Sequence, residues 1–351
     1  MSVGEQHALE LIERVRSKPP RFRDGQITMA HGAGGKATLT LIEGLLAPAF
    51  GLDELADAGA LDGLALTTDS FVVKPIRFPG GSIGELAVNG TVNDLAVAGA
   101  QPLALTLSLV LEEGLAADEL RAEVEAIAAA AERAGVRVIA GDTKVVERGH
   151  ADGMYVTTTG LGRVDARASL STRSLRAGDR ILLSGPVGLH GTAIMLARGE
   201  FDLGAEIESD TRSLWPAAEA LLEVAGPSLR CLRDATRGGV ASVVNELARA
   251  SGVSLVVREA DVPVPPPVAG ACELLGIDPM YVANEGVLVA FVEAAASDEA
   301  LAALRSVPGH EQAAEIGEVK AEPPGLVLVE TAFGGRRVMD LLVGDPLPRI
   351  C

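Results

Sequence analysis

The final residue of the chain is Cys351, and its side chain is well suited to carrying a group covalently. A thiol on a terminal segment is sterically open. Its thiolate is a good nucleophile, and thioesters are activated acyl carriers. The segment GDPLPRIC (344–351) holds one glycine and two prolines. Pro346 and Pro348 exclude a helix and make a poor strand, so a semi-extended tail is expected. Such a tail reaches roughly 20 Å beyond Asp345. The competing reading is a terminal cysteine without a role. A prenylation signal is excluded, because its cysteine stands four from the end.

A set of aspartates comes next. Asp69 lies in Thr67-Thr68-Asp69-Ser70, Asp94 follows Asn93 in an otherwise apolar helix, and Gly141-Asp142-Thr143-Lys144 follows a strand. Carboxylates in such settings are costly unless paired or bound to a cation. Hard oxygen ligands suit Mg²⁺ holding nucleotide phosphates. Each aspartate alone reads equally as a cap or turn residue; Asp94 on its apolar face favours the metal. Two glycine-rich turns, His31-Gly-Ala-Gly34-Gly35-Lys36 and Asp234-Ala-Thr-Arg-Gly-Gly239, each precede a predicted helix. Turns of this kind present backbone N–H groups to anions. Neither is a Walker A loop, since Ala30 and Ala37 stand where Gly and Ser or Thr are required. Lys144 reads as a phosphate contact, a base or a surface charge. Glu285, in Ala-Asn-Glu-Gly, reads as a turn carboxylate. Cys231 and Cys272 sit among core-like residues and read as buried small hydrophobes. His7, His150, His190 and His310 show no ligand spacing and receive no role.

These residues need a scaffold. Strands are expected at 64–73, 103–111, 136–140 and 154–161, with helices at 84–98 and 118–134. A second block near Arg176 adds helices at 190–198, 211–225, 238–250 and 267–275. Its strands are expected at 253–257, 286–292, 313–318 and 325–330. The similar order of the two blocks predicts two related domains of mixed α/β class. The 351 residues suffice for both, and with aromatics at only 3% the cores must be aliphatic. A net charge of −18 repels nucleic-acid backbones and argues against general binding to them. No apolar run is long enough to span a bilayer, the N-terminus lacks a signal-peptide core, and the cysteines form no CxxC pair. A cytoplasmic protein is expected.

The strings MAHGAGGK, TTDSFVVKPIRFPGG, IGELAVNGTVNDLAVAGAQP, VIAGDTKVV, LRDATRGG, ANEG and PRIC follow one another in this order. From about residue 28 to 351 the chain resembles the HypE family of hydrogenase maturation factors. That family falls within the superfamily of aminoimidazole ribonucleotide synthetase, selenophosphate synthetase and thiamine-monophosphate kinase. The resemblance implies an N-terminal extension (1–27), an N-terminal ATP-binding and dimerisation domain (28–168), a C-terminal α/β domain (169–335) and a tail (336–351). It implies a homodimer packed through the N-terminal domains, with ATP beside that interface. It also implies the reaction. A carbamoyltransferase, HypF, loads a carbamoyl group onto the cysteine sulfur, and ATP-dependent dehydration turns this thiocarboxamide into a thiocyanate. The cyanide then passes to iron on a HypC–HypD scaffold. Asp69, Asp94 and Asp142 are the implied Mg²⁺ ligands, with Asp234 a fourth. Gly34, Gly35, Lys36, Asn93, Gly141 and Thr143 are implied to bind nucleotide, and Lys144 and Glu285 to act as bases near the Cys351 sulfur. Two other readings stay open. One is a different ATP-dependent kinase or synthetase of the superfamily, although no cysteine precedes Cys231 as a selenophosphate synthetase would need. The other is a non-enzymatic scaffold with a docking tail, which leaves Asp94 and Asp142 unaccounted for.

Overall fold

The computed structural model describes residues 21–199, 206–344 and 349–351. The expected extension (1–27) and the tail prolines lie mostly outside these residues. Fourteen strands follow in chain order: β1 (Gly59–Leu61), β2 (Leu64–Phe71), β3 (Arg77–Phe78), β4 (Gly81–Ser82), β5 (Ala100–Glu112), β6 (Arg137–Val146), β7 (Met154–Val164), β8 (Arg180–Leu183), β9 (Leu229–Asp234), β10 (Ser254–Arg258), β11 (Leu288–Val292), β12 (Ala314–Lys320), β13 (Val327–Glu330) and β14 (Arg336–Met339).

The first sheet runs β1-β2-β7-β5-β6. Burial alternates along β2 and β7, as the period of two requires when only one face is covered. The covering element is the helix Ile83–Val97, in which only Glu85 and Asp94 are not fully buried. It is a buried helix, enclosed by the sheet, by the helix Ala117–Arg133 and by the second domain. The helix Ala117–Arg133 is amphipathic, burying Glu123, Ile127, Ala130 and Ala131 on one stripe. It ends where Gly135 takes a left-handed φ of 67°. The other face of the sheet shows Leu64, Leu66, Thr68 and Ser70 exposed on β2. The edge strand β6 is exposed along nearly its whole length.

The second sheet has seven strands in the order β14-β13-β10-β12-β8-β11-β9. Leu182, Leu288 and Ala290 on one face pack against the helices Trp215–Ala225 and Ser297–Ser306. Ile181, Val289 and Phe291 on the other pack against the helix Gly239–Ser251. Strands buried on both faces read as continuous apolar runs, as β11 (LVAFV) does. The two-domain mixed α/β architecture agrees with expectation. A further apolar cluster joins the two halves: Phe71, Leu109 and Val156 meet Ile194, Val268 and Val282, and Ile350 and Cys351 lie in the same cluster.

Several local expectations differ from what is seen, and the strand β9 was not among those expected. The strand expected to stop at residue 140 runs on to Val146, so Gly141-Asp142-Thr143-Lys144 lies within β6 and not in a turn after it. The helix expected from 211 starts at Trp215, because the preceding segment is drawn out over Asn93, whose Oδ1 accepts the Leu214 N–H at 2.7 Å. The helix Ser297–Ser306 was not anticipated. The tail expected from 336 begins later, since Arg336–Met339 pair with β13 as a strand.

Candidate active site

Three carboxylates converge where the domains meet. Asp94 comes from the buried helix, Asp234 from the end of β9, and Asp57 from the loop before β1. One oxygen from each lies within 4.8 Å of the others. Thr67 on β2 donates its hydroxyl to Asp94 at 2.7 Å, and Arg233 pairs with Asp57 at 2.8 Å. Burial holds the Asp94 carboxyl well above the usual range, and the charges of Asp234, Asp57 and Asp69 add to this. Burial followed by the charge of Asp57 pushes Asp234 up to about 7, against the pull of Arg233. Acids that repel one another in a partly closed site gain from a bound dication. The three carboxylates are close enough together to share one such cation, with oxygen donors of the kind Mg²⁺ takes.

Cys351 is buried, close enough to the carboxylates for their charges to act on its thiol. Burial pushes its thiol well above the ordinary range; Arg237 opposes the shift, while Glu285, Asp69 and Asp234 reinforce it. A pocket opens next to the sulfur, walled in part by Met29, Gly32, Ala33, Arg237, Gly238 and Tyr281. Arg237 also donates to the Gly32 carbonyl at 2.8 Å. The tail backbone is held at several points. The Arg349 carbonyl accepts from the Lys74 N–H at 3.2 Å and the Arg198 guanidinium at 2.7 Å. The Arg349 side chain pairs with Asp152.

Glu285 sits at 3% exposure, and its Oε1 has no hydrogen-bond partner among the described residues. Burial raises its carboxyl well above the usual range, reinforced by Asp234, Asp69 and Asp210. Its backbone is clamped. Asp210 accepts the Glu285 and Gly286 N–H groups at 3.1 Å each, and Asn93 donates to the Glu285 carbonyl at 3.2 Å. Because Asn93 also bonds Arg212 and Leu214, its amide is taken up by protein groups and positions the site instead of facing a nucleotide.

Asp69 lies at the margin of the carboxylate group. Burial raises its carboxyl, and Arg237 opposes this. The two glycine-rich turns pack on each other. A Cβ on Gly34 would lie 2.7 Å from the Arg237 carbonyl oxygen, and the Gly34 carbonyl accepts from Ser242 at 2.9 Å. The Lys36 N–H donates to the Leu342 carbonyl at 3.0 Å, its ammonium pairs with Asp340 at 2.7 Å, and a Cβ on Gly35 would meet that same carbonyl at 2.6 Å.

Asp142 and Lys144 stand elsewhere within the chain. Asp69 pairs across to Thr158, Thr158 to Leu107 and Leu107 to Gly141. Asp142 therefore lies one row along from Asp69, in the row of Ser70 and three strand spacings, about 14 Å, from it. Thr158 bonds Thr91 on the buried helix, so the Asp69 row faces that helix and Asp142 and Lys144 take the opposite, open face. They pair with each other at 2.6 Å, and this contact lowers the Asp142 carboxyl. Thr143 is exposed on the same edge strand, and a Cβ on Gly141 would lie 2.3 Å from the Leu107 carbonyl oxygen, so that glycine serves strand packing. The sequence reading missed Asp57, Arg237 and Asp210. The acidic stretch Asp53-Glu54-Leu-Ala-Asp57 and the arginine inside Asp234-Ala-Thr-Arg237 were the available signals.

Residues 55–164 match the N-terminal domain, and residues 176–329 the C-terminal domain, of AIR synthase related proteins. The chain is 48% identical over 344 residues to carbamoyl dehydratase HypE of Cupriavidus necator, covering 95% of this chain and 97% of that one. The crystal structure of a HypE–HypF complex superposes with a TM-score of 0.83 at 42% identity, covering 86% of this chain and 99% of that one. A HypE structure in complex with ATP gives a TM-score of 0.79 at 42% identity, covering 93% of this chain and all of that one (100%). A buried cysteine beside converging carboxylates, on two AIR synthase related domains, thus belongs to a chain of the carbamoyl dehydratase HypE family of enzymes.

Proposed function

We propose that this protein dehydrates a carbamoyl group carried on Cys351 at the expense of ATP, giving a thiocyanate whose cyanide serves a hydrogenase iron centre. The supporting observation is the buried Cys351 thiol, which lines a pocket with Arg237 and lies within reach of the charges of Glu285, Asp69 and Asp234. In this reading the unit 28–168 holds nucleotide, the unit 169–335 supplies Glu285 and Asp234, and the tail carries the substrate. The relative solved with ATP and the relative solved with HypF are consistent with nucleotide use and with HypF as the loading partner. A HypC–HypD scaffold as acceptor rests on the family resemblance.

The reaction takes R–S–C(=O)NH₂ and ATP to R–S–C≡N, ADP and phosphate. The carbamoyl oxygen leaves as phosphate, and two N–H protons must be removed. Asp57, Asp94 and Asp234 would hold Mg²⁺, which neutralises phosphate charge during transfer. Asp69 lies close enough in charge to assist them. Glu285, whose Oε1 is unpartnered, accepts an N–H proton once ionised. The charge of Arg237 favours the ionised Glu285 that this step needs. The docked thiol is a poor nucleophile, because burial keeps it protonated. Loading on the sulfur therefore takes place with the tail undocked.

Asp142 and Lys144 enter through a second copy. The open face of the first sheet carries exposed Leu64 and Leu66, and the edge strand β6 is exposed along nearly its whole length. An apolar open sheet face of this sort suits a homodimer packed sheet to sheet. Such packing can bring Asp142, Thr143 and Lys144 of one protomer toward the carboxylates of its partner. The test is mass spectrometry of the Cys351 peptide after incubation with the carbamoyltransferase, carbamoyl phosphate and ATP. A carbamoyl adduct that loses water only with ATP is expected. ATP turnover without modification of Cys351 would favour a different kinase or synthetase of the superfamily.

A further inference from the structure

His190 has no part in this chemistry, yet it is fully buried on the helix Leu189–Ala197, with Phe78 edge-on at 5.5 Å. Both ring nitrogens are engaged. Nε2 lies 2.6 Å from the Ile350 carbonyl oxygen, and Nδ1 lies 2.8 Å from the Ser209 hydroxyl. A carbonyl only accepts, so Nε2 carries the proton and Nδ1 accepts from Ser209. Ser209 is itself fixed. Its oxygen accepts the Thr211 N–H at 3.2 Å, and its N–H donates to the Pro79 carbonyl at 2.9 Å. Burial lowers His190 to about 4, which keeps the ring neutral and this tautomer populated at physiological pH. The carbonyl it holds belongs to the residue directly before Cys351, so the bond fixes where the sulfur begins.

We propose that His190, aligned by Ser209, is a positioning residue that seats the tail: its Nε2–H holds the Ile350 carbonyl, sets the Cys351 sulfur beside Glu285, and must let go before the thiol can leave. Arg198 supplies a second, more exposed hold one residue earlier, on the Arg349 carbonyl. The proposal deepens the carrier role of Cys351. Its readout needs neither ATP nor dehydration, so it stands or falls apart from that role.

The experiment is time-resolved alkylation of the full-length protein by iodoacetamide, with each cysteine followed by peptide mass spectrometry. Cys231 and Cys272 serve as internal controls, since burial pushes their thiols up to about 12 and about 11. His190→Ala and Ser209→Ala are expected to raise the Cys351 labelling rate about tenfold or more while both controls stay unlabelled. His190→Gln, which keeps a donor near the same point, is expected to restore most of the protection. In the loaded enzyme the same alanine variants are expected to lower kcat for dehydration while the KM for ATP stays unchanged. If His190→Ala labels all three cysteines, the fold has loosened and Ser209→Ala decides: a selective rise at Cys351 supports the proposal. Unchanged Cys351 labelling in a folded Ser209→Ala or His190→Ala protein overturns it.

Discussion

Asn93 and Glu285 are joined across the domain boundary: the Asn93 amide donates to the Glu285 carbonyl at 3.2 Å while its oxygen accepts from Leu214. One buried side chain thus ties the helix bearing Asp94 to the loop bearing Glu285. Asn93→Ala strands one buried N–H and two carbonyls. The expected cost is about 2–4 kcal/mol of stability, read by chemical denaturation, together with lost activity. A variant of wild-type stability would show that this tie is dispensable.

Asp94→Asn should separate fold from function. The Thr67 hydroxyl can still donate to the amide oxygen, and the repulsion among Asp57, Asp94 and Asp234 is relieved. Stability without ligand is therefore expected to hold or rise, while Mg-ATP affinity falls at least about tenfold. Calorimetric titration checks the second point, and Asp57→Asn is expected to behave alike. Unchanged nucleotide affinity in both variants would remove the cluster from the metal site.

The carboxylate group also sets a pH dependence. Asp234 titrates near 3.8 when unfolded and at about 7 when folded, and Asp94 and Glu285 are raised in the same direction. A raised folded value means stability that is full below the unfolded value and is lost as pH climbs through the folded one. The melting temperature of the ligand-free protein should fall between about pH 4 and about pH 7. Mg²⁺ should bind more tightly over the same window, because the ion displaces protons. A flat melting profile would contradict the coupling.

Cys351→Ala is expected to bind ATP with unchanged affinity and to form no thiocyanate. Retained product in this variant would dispose of the carrier role.

Mixing tests the second copy. Lys144→Ala and Cys351→Ala proteins are each expected to be inactive. A dimer of the two contains one site with an intact tail from one protomer and an intact Lys144 from its partner. With random exchange, roughly a quarter of wild-type activity should return, by the reasoning of isologous symmetry. No recovery after verified exchange would mean that Lys144 acts within its own chain or not at all.

Periodicity made most elements legible. The helix Ile83–Val97 and β2 matched within a few residues because strong apolar patterns leave little choice of register. β6 was cut short because Gly141-Asp142 is a turn signal, and an exposed edge strand lacks the buried alternation that would override it. For the site, a linear string marks residue types but not faces. Asp94 and Asp234 converge as a helix and a strand end can, whereas Asp142 is turned away by a sheet register that no local pattern shows. Asp57 was overlooked because it sits in an irregular loop, where acidic residues are common. His190 carried no ligand spacing, since its partner is a backbone carbonyl 160 residues away.

Ile350 and Cys351 lie in the apolar cluster that joins the two domains. Pulling them out withdraws an isoleucine side chain worth about 1.5–3 kcal/mol of burial. Under the proposed carrier role, each round unplugs and replugs the seam between the halves of the molecule. In the proposed carrier cycle the molecule is stiffest with its tail seated, so a partner that drew the tail out would have to offset the loss of that wedge.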